Sequence, residues 1–171
     1  MNPEGYMFDF GETNSATRIN RMLCELVGPT ATAKFWKAFK DNYITKEDIL
    51  FIAQQGANTV RMPFNYRSFT DEDYMGITCG GDGFERIDTL VSWCHEAGLY
   101  LILDMHDAPG GQTGYNIDDS YGYPWLFVEQ EDQDLFCDIW KKIAAHYANE
   151  PQILGYELLN EAIANYWPEH E

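Results

Sequence analysis

The chain has 171 residues and carries 11 Lys and Arg against 28 Asp and Glu, a formal net charge of −17. With 45% hydrophobic and 15% aromatic residues it has the composition of a folded protein of one domain over 1–171. So acidic a balance excludes nucleic acid, whose phosphates call for clustered Lys and Arg, and excludes an anionic membrane surface.

The excess is uneven. Residues 1–57 hold 6 basic and 7 acidic side chains, so almost all of the negative charge lies further along the chain. Residues 1–20 show no basic stretch followed by an apolar run, so no signal peptide is visible. The longest dense apolar run, at 99–103, falls far short of a membrane span. Localisation stays open between the cytoplasm and export within a longer precursor. Cys24, Cys79, Cys94 and Cys137 are separated by 55, 15 and 43 residues, which fits no zinc spacing. Cys94 and Cys137 fall on apolar faces of predicted helices, where free buried thiols are expected.

In chain order, residues 1–13 are irregular, with Pro3, Gly5 and Gly11. Short helices follow over 18–26 and 31–40, the second burying Phe35, Trp36 and Phe39. Thr45 with Asp48 resembles a capping box for a helix over 46–55, which Gly56 stops. A strand over 58–64 ends at Pro63, and 70–83 is an acidic, glycine-rich loop. The helix over 85–97 places Ile87, Leu90, Val91 and Cys94 on one face. Residues 99–105 read as a strand covered on both faces, followed by an irregular segment over 107–124, long enough to be a functional loop. A helix over 134–148 and a third buried strand over 153–159 complete the pattern. Strand–helix–strand–helix–strand means an α/β fold with parallel strands and helices outside.

In such sheets the useful side chains stand where strands end. Those ends read Arg61, then Asp104 and His106, then Asn160 and Glu161. Polar groups in strands otherwise built of Val, Ile and Leu are costly unless paired or used. A Glu161 carboxyl at the rim of an apolar sheet would have a raised pKa and suit a general acid; alternatively it opens the next helix, where acids favour the dipole. Asp104 and His106 share a strand face, as a polar pair that orients a substrate or as two ligands of a metal. Two ligands fall short of a metal site, so none is expected, and no cofactor either. Arg61 should bind a carboxylate, of a substrate, of a catalytic group, or of a structural ion pair. Tyr66, Phe69, Tyr115, Tyr121, Tyr123 and Trp125 lie in the loops at these strand ends, where flat rings pack on pyranose faces or close the core. Trp36, Trp93 and Trp140 belong to the core.

Three stretches together carry a family resemblance: GANTVRMP at 56–63, LDMHDAPG at 103–110 and ILGYELLNE at 153–161. In this order and spacing the sequence resembles glycoside hydrolase family 5, the cellulase-type retaining β-glycosidases. The run PGGQTG at 109–114 looks most like the glucanase branch. The resemblance implies a (β/α)8 barrel with Arg61, His106 and Asn160-Glu161 ending its second, third and fourth strands. It implies Glu161 as acid/base, Asn160 on the sugar 2-hydroxyl, and Arg61 and His106 shaping the subsite. Trp125 and Tyr66 join them as expected substrate contacts, and the partner is a β-linked oligo- or polysaccharide.

Ala162 stands where the family usually has Pro. A complete barrel of this kind takes roughly 250 residues. The family's nucleophile, a Glu on the seventh strand, has no counterpart in the chain, and 2–8 resembles the segment after the first strand. The expectation is a partial TIM barrel of about half size, with Arg61 short of its carboxylate partner and with open edges that favour a homo-oligomer. Two copies closed about a two-fold would put His106 at position seven, with Asp104 and Asp107 as the nearest carboxylates. The alternative to a β-glucan hydrolase is an inactive half-barrel that binds sugar or only assembles.

Overall fold

The computed structural model describes residues 15–75, 77–78, 82–120 and 122–162. The expectations for residues 1–14, Cys79 and Tyr121 lie outside these.

Ser15 caps α1 (Ala16–Val27) by accepting a hydrogen bond from the Arg18 N–H. Pro29, fitted to a first helical position, opens α2 (Pro29–Asn42). The two helices form a small core of their own around Ile19, Trp36 and Met75, with the Trp36 indole N–H donating to Asn20 at 2.9 Å. Phe35, expected in that core, is 40% exposed: its ring lies edge-on against the outer side of Trp36. In α3 (Lys46–Gln54) the Thr45 N–H donates to the Asp48 carboxylate at 2.8 Å, closing the predicted box, and Gly56 leaves the helix at φ +88°.

The remaining elements are β1 (Thr59–Asn65), the short antiparallel pair β2 (Asp73–Tyr74) and β3 (Ile77–Thr78), α4 (Asp82–Ala97), β4 (Tyr100–Asp107), α5 (Gln130–His146) and β5 (Ile153–Glu157). β1, β4 and β5 form one parallel sheet in that order, with Arg61 opposite Ile102, and with Asp104 opposite Pro63 on one side and Glu157 on the other. Central β4 alternates. Leu101, Leu103 and Met105, all 0% exposed, pack against Ile87, Leu90, Val91 and Cys94 of α4 and Ile139, Trp140 and Ile143 of α5. Ile102, Asp104 and His106 take the other face by strand parity.

Two expectations change here. The third strand is shorter than predicted and is not buried: Leu154 is 58% exposed, and Tyr156, with its ring edge-on to Trp140, is 37% exposed. As an edge strand among the described residues, β5 is covered on one side only. Cys137 is exposed, because α5 turns its Ile139–Trp140–Ile143 stripe to the sheet and Cys137 away from it. Cys24, Cys94 and Cys137 are free thiols, as expected.

Candidate functional site

Strand parity gathers charge on the face of the sheet away from the helices. Arg61 lies mid-strand in β1 rather than at its end, which lets its guanidinium reach across β4 to β5. Nε donates to Glu157 Oε2 at 2.5 Å and Nη2 to Oε1 at 2.9 Å, a two-pronged ion pair. Nη2 also donates to Asn160 Oδ1 at 2.8 Å and lies 3.0 Å from Asp104 Oδ2. Arg61 is therefore supplied with carboxylates, contrary to the expectation from the family pattern. Glu157, inside the ILGYELLNE motif, was the missed partner; its parity with the sheet's inner face was the signal that could have found it.

Asp104 is 0% exposed, and its Oδ2 lies 2.9 Å from His106 Nδ1. This contact, ahead of the opposing cost of burial, raises the His106 pKa above its ordinary value. Arg61 holds the Glu157 carboxyl below the usual carboxylate range by hydrogen bonding to its charged form. Asn160 is drawn in from the other side, its Nδ2 lying 3.4 Å from His106 Nε2. Because Arg61 donates to Asn160 Oδ1, the amide nitrogen faces the imidazole. That arrangement assigns Nε2 as the acceptor and leaves the Nδ1–H to donate to Asp104.

β5 ends at Glu157, and the chain reaches Asn160 as it leaves the sheet. Asn160 is 7% exposed, with its N–H donating to the Met105 carbonyl at 3.2 Å. Glu161 comes next, exposed and at φ +42°, an uncommon conformation for a residue with a side chain. It is exposed to solvent, not set against the apolar rim that was expected. Glu161 follows Asn160 directly in the chain and adds to the charges that raise the Arg61 pKa.

The segment after β4 is built, not loose. Asp118 accepts from the N–H groups of Gln112 and Thr113, both at 2.6 Å, and from the Thr113 and Ser120 hydroxyls. Asp119 takes the Thr17 N–H at 3.1 Å and Arg67 Nη1 at 2.9 Å, tying α1 to this loop. A side chain on Gly111, at φ +75°, would run into Ser120. Asp107 at the end of β4 is buried with Asn65, whose amide donates to it at 2.8 Å; desolvation lifts its pKa to about 7.

The expected aromatic contacts divide. Trp125 is 39% exposed on the loop, its ring 4.8 Å from that of Tyr123, while Tyr115 is also exposed. Tyr66 departs from its expected place: it is buried, with its hydroxyl donating to Glu72, and Phe69 packs against the core. The structure thus joins Arg61, His106 and Asn160 by hydrogen bonds, leaves Glu161 exposed as the next residue in the chain, keeps Trp125 at the surface of the neighbouring loop, and puts Tyr66 inside.

The model of the cellulase family, glycosyl hydrolase family 5, matches residues 18–170. The chain belongs to glycosyl hydrolase family 5. It is 33% identical over 162 residues to a β-xylosidase of Phanerodontia chrysosporium, covering 94% of this chain and 33% of that one. It is 39% identical over 129 residues to endoglucanase C of Acetivibrio thermocellus, covering 75% of this chain and 36% of the relative. The chain thus spans about a third of the length of these relatives. Among solved structures it is similar to rutinosidase from Aspergillus niger, with a TM-score of 0.75 at 20% identity over 95% of this chain and 45% of that one, a likeness of fold alone. The described residues form part of a (β/α)8 barrel.

Proposed function

We propose that this chain is a β-glucan-hydrolase-like chain of family 5, one domain that carries the acid/base half of a retaining site. The observation that carries the reading is the cluster of Arg61, His106 and Asn160, joined by hydrogen bonds, with Glu161 exposed beside it. Glu161 donates its proton to the leaving glycosidic oxygen as the bond to the anomeric carbon breaks, then takes a proton from the attacking water. Asn160 faces the sugar 2-hydroxyl, Arg61 and His106 shape the subsite, and the exposed Trp125 ring offers a face to a neighbouring pyranose. Neither a metal nor a cofactor enters this chemistry.

Retention needs a second carboxylate about 5–5.5 Å from the first. Asp104 and Asp107 are buried, and Glu157 is engaged by Arg61. In this reading the nucleophile is a carboxylate other than these three, supplied by a longer parent chain or by assembly through the edges of β1 and β5, which are unpaired among the described residues. The same three engaged carboxylates favour a second reading, a half-barrel that binds β-glucan or assembles without turnover.

Hydrolysis of an aryl β-cellobioside by the wild type and by Glu161→Gln separates the two. Loss of about 10²–10⁴ in rate in the variant supports the acid/base role. Equal rates would remove Glu161 from the mechanism. Saturable cellotetraose binding by the wild type, unaccompanied by hydrolysis in the assembled or full-length protein, supports the second reading. Light scattering tests assembly: a particle of 19.7 kDa is a monomer and refutes the oligomer.

A further inference from the structure

The side chain of Gln112 is 0% exposed, yet every hydrogen-bonding group of its carboxamide is used. Nε2 donates to the His106 carbonyl at 2.6 Å and to the Asn160 carbonyl at 3.0 Å, while Oε1 accepts from the Ala108 N–H at 3.1 Å. Both acceptors of the amide nitrogen are carbonyls, so its orientation is determined: a flip would turn oxygen against oxygen. One buried amide thus staples the end of β4 to the segment that follows β5.

We infer that Gln112 is a positioning residue, whose amide holds the peptide plane between Asn160 and Glu161 and thereby aims the Glu161 carboxyl; this rests on the acid/base reading of Glu161. The Asn160 carbonyl and the Glu161 N–H belong to the same planar peptide group, so fixing one oxygen fixes the plane from which Glu161 departs. Asn160 is held at its other peptide by the Met105 carbonyl and at its side chain by Arg61. Glu161 leaves that anchored plane at φ +42°. The staple itself is rigid, because the Gln112 N–H is bound to Asp118 and the turn before it passes through Gly110 and Gly111 at φ +71° and +75°. A site held this way meets substrate with its carboxyl already aimed.

The test uses isotope-labelled wild type, Gln112→Glu, which sets a carboxylate oxygen against the two carbonyls, and Gln112→Asn, which keeps the amide and shortens its reach. In the wild type, the Gln112 side-chain amide protons should exchange more slowly with solvent than those of exposed Gln130. Both variants should shift the backbone amide resonances of Glu161 and Ala162 and leave those of Leu101 and Leu103 in place. With an aryl β-cellobioside, kcat should fall roughly 100-fold, with KM changed less than about twofold. Unshifted Glu161 and Ala162 resonances in either folded variant, or fast wild-type exchange at Gln112, overturns the inference. Where Gln112→Glu does not fold, Gln112→Asn carries the same readout. If the assembled or full-length wild type shows no hydrolysis, the resonances still decide the staple, and only the acid/base reading falls.

Discussion

The two faces of β4 are made of alternate residues of one eight-residue strand and do opposite work. Toward the helices, Leu101, Leu103 and Met105 are sealed in an apolar core, where stability comes from area removed from water. On the other face, Asp104 is equally buried but is kept there by Arg61 and His106. Burial of a carboxylate costs free energy, and only a paired, hydrogen-bonded environment offsets it. The contrast teaches that burial alone does not mark a core residue. Its neighbours decide whether it stabilises the fold or holds a site in place.

The sharpest way to break this comparison is on the apolar face. Leu103→Ala should lose about 2–5 kcal/mol in urea unfolding and leave the His106 titration unchanged. On the polar face, Asp104→Asn should cost less, about 1.5–3 kcal/mol, because Arg61 keeps Glu157. It should also lower the midpoint of the His106 ring-proton NMR titration, since Asp104 is the first cause of its elevation. If the two substitutions reversed these effects, the division of labour between the faces would fall.

Asp107 sharpens the comparison at the strand end. Its carboxyl is raised from 3.8 to about 7, so the native state takes up a proton that the unfolded chain has already lost. The stabilisation from that proton is complete below pH 3.8 and is lost as pH rises through about 7. Unfolding curves of Asp107→Asn over that window should be flatter than those of the wild type, which should decline with a slope of up to about 1.4 kcal/mol per pH unit. Parallel curves would show that Asp107 does not carry the proton. The smallest effect belongs to exposed Cys137: Cys137→Ser should change stability by less than about 0.5 kcal/mol.

Much of the architecture was legible in local pattern. The capping pair Thr45–Asp48, the α4 stripe ending at Gly98 and the dense β4 run each state their element within a few residues, because helix and strand periodicities are local properties. The short motifs also held Arg61, His106 and Asn160, which the fold joins by hydrogen bonds, with Glu161 next to Asn160 in the chain. Tyr66 and Cys137 were misplaced because residue type and helical phase do not reveal which neighbour covers a side chain.

What the sequence by itself determined is the order of the helices and of the three sheet strands, the parallel α/β fold, the family and the polar residues at the strand ends, but not the short β2–β3 pair inside the predicted loop. What only the tertiary structure decided is who touches whom: Glu157 on Arg61 across 96 residues, and Gln112 on the carbonyls of His106 and Asn160. Those contacts depend on the register of β4 against β5 and on a loop folded around Asp118, and neither leaves a periodic trace in the chain. Pattern records what each segment does alone, whereas a site is made by the angles at which segments meet.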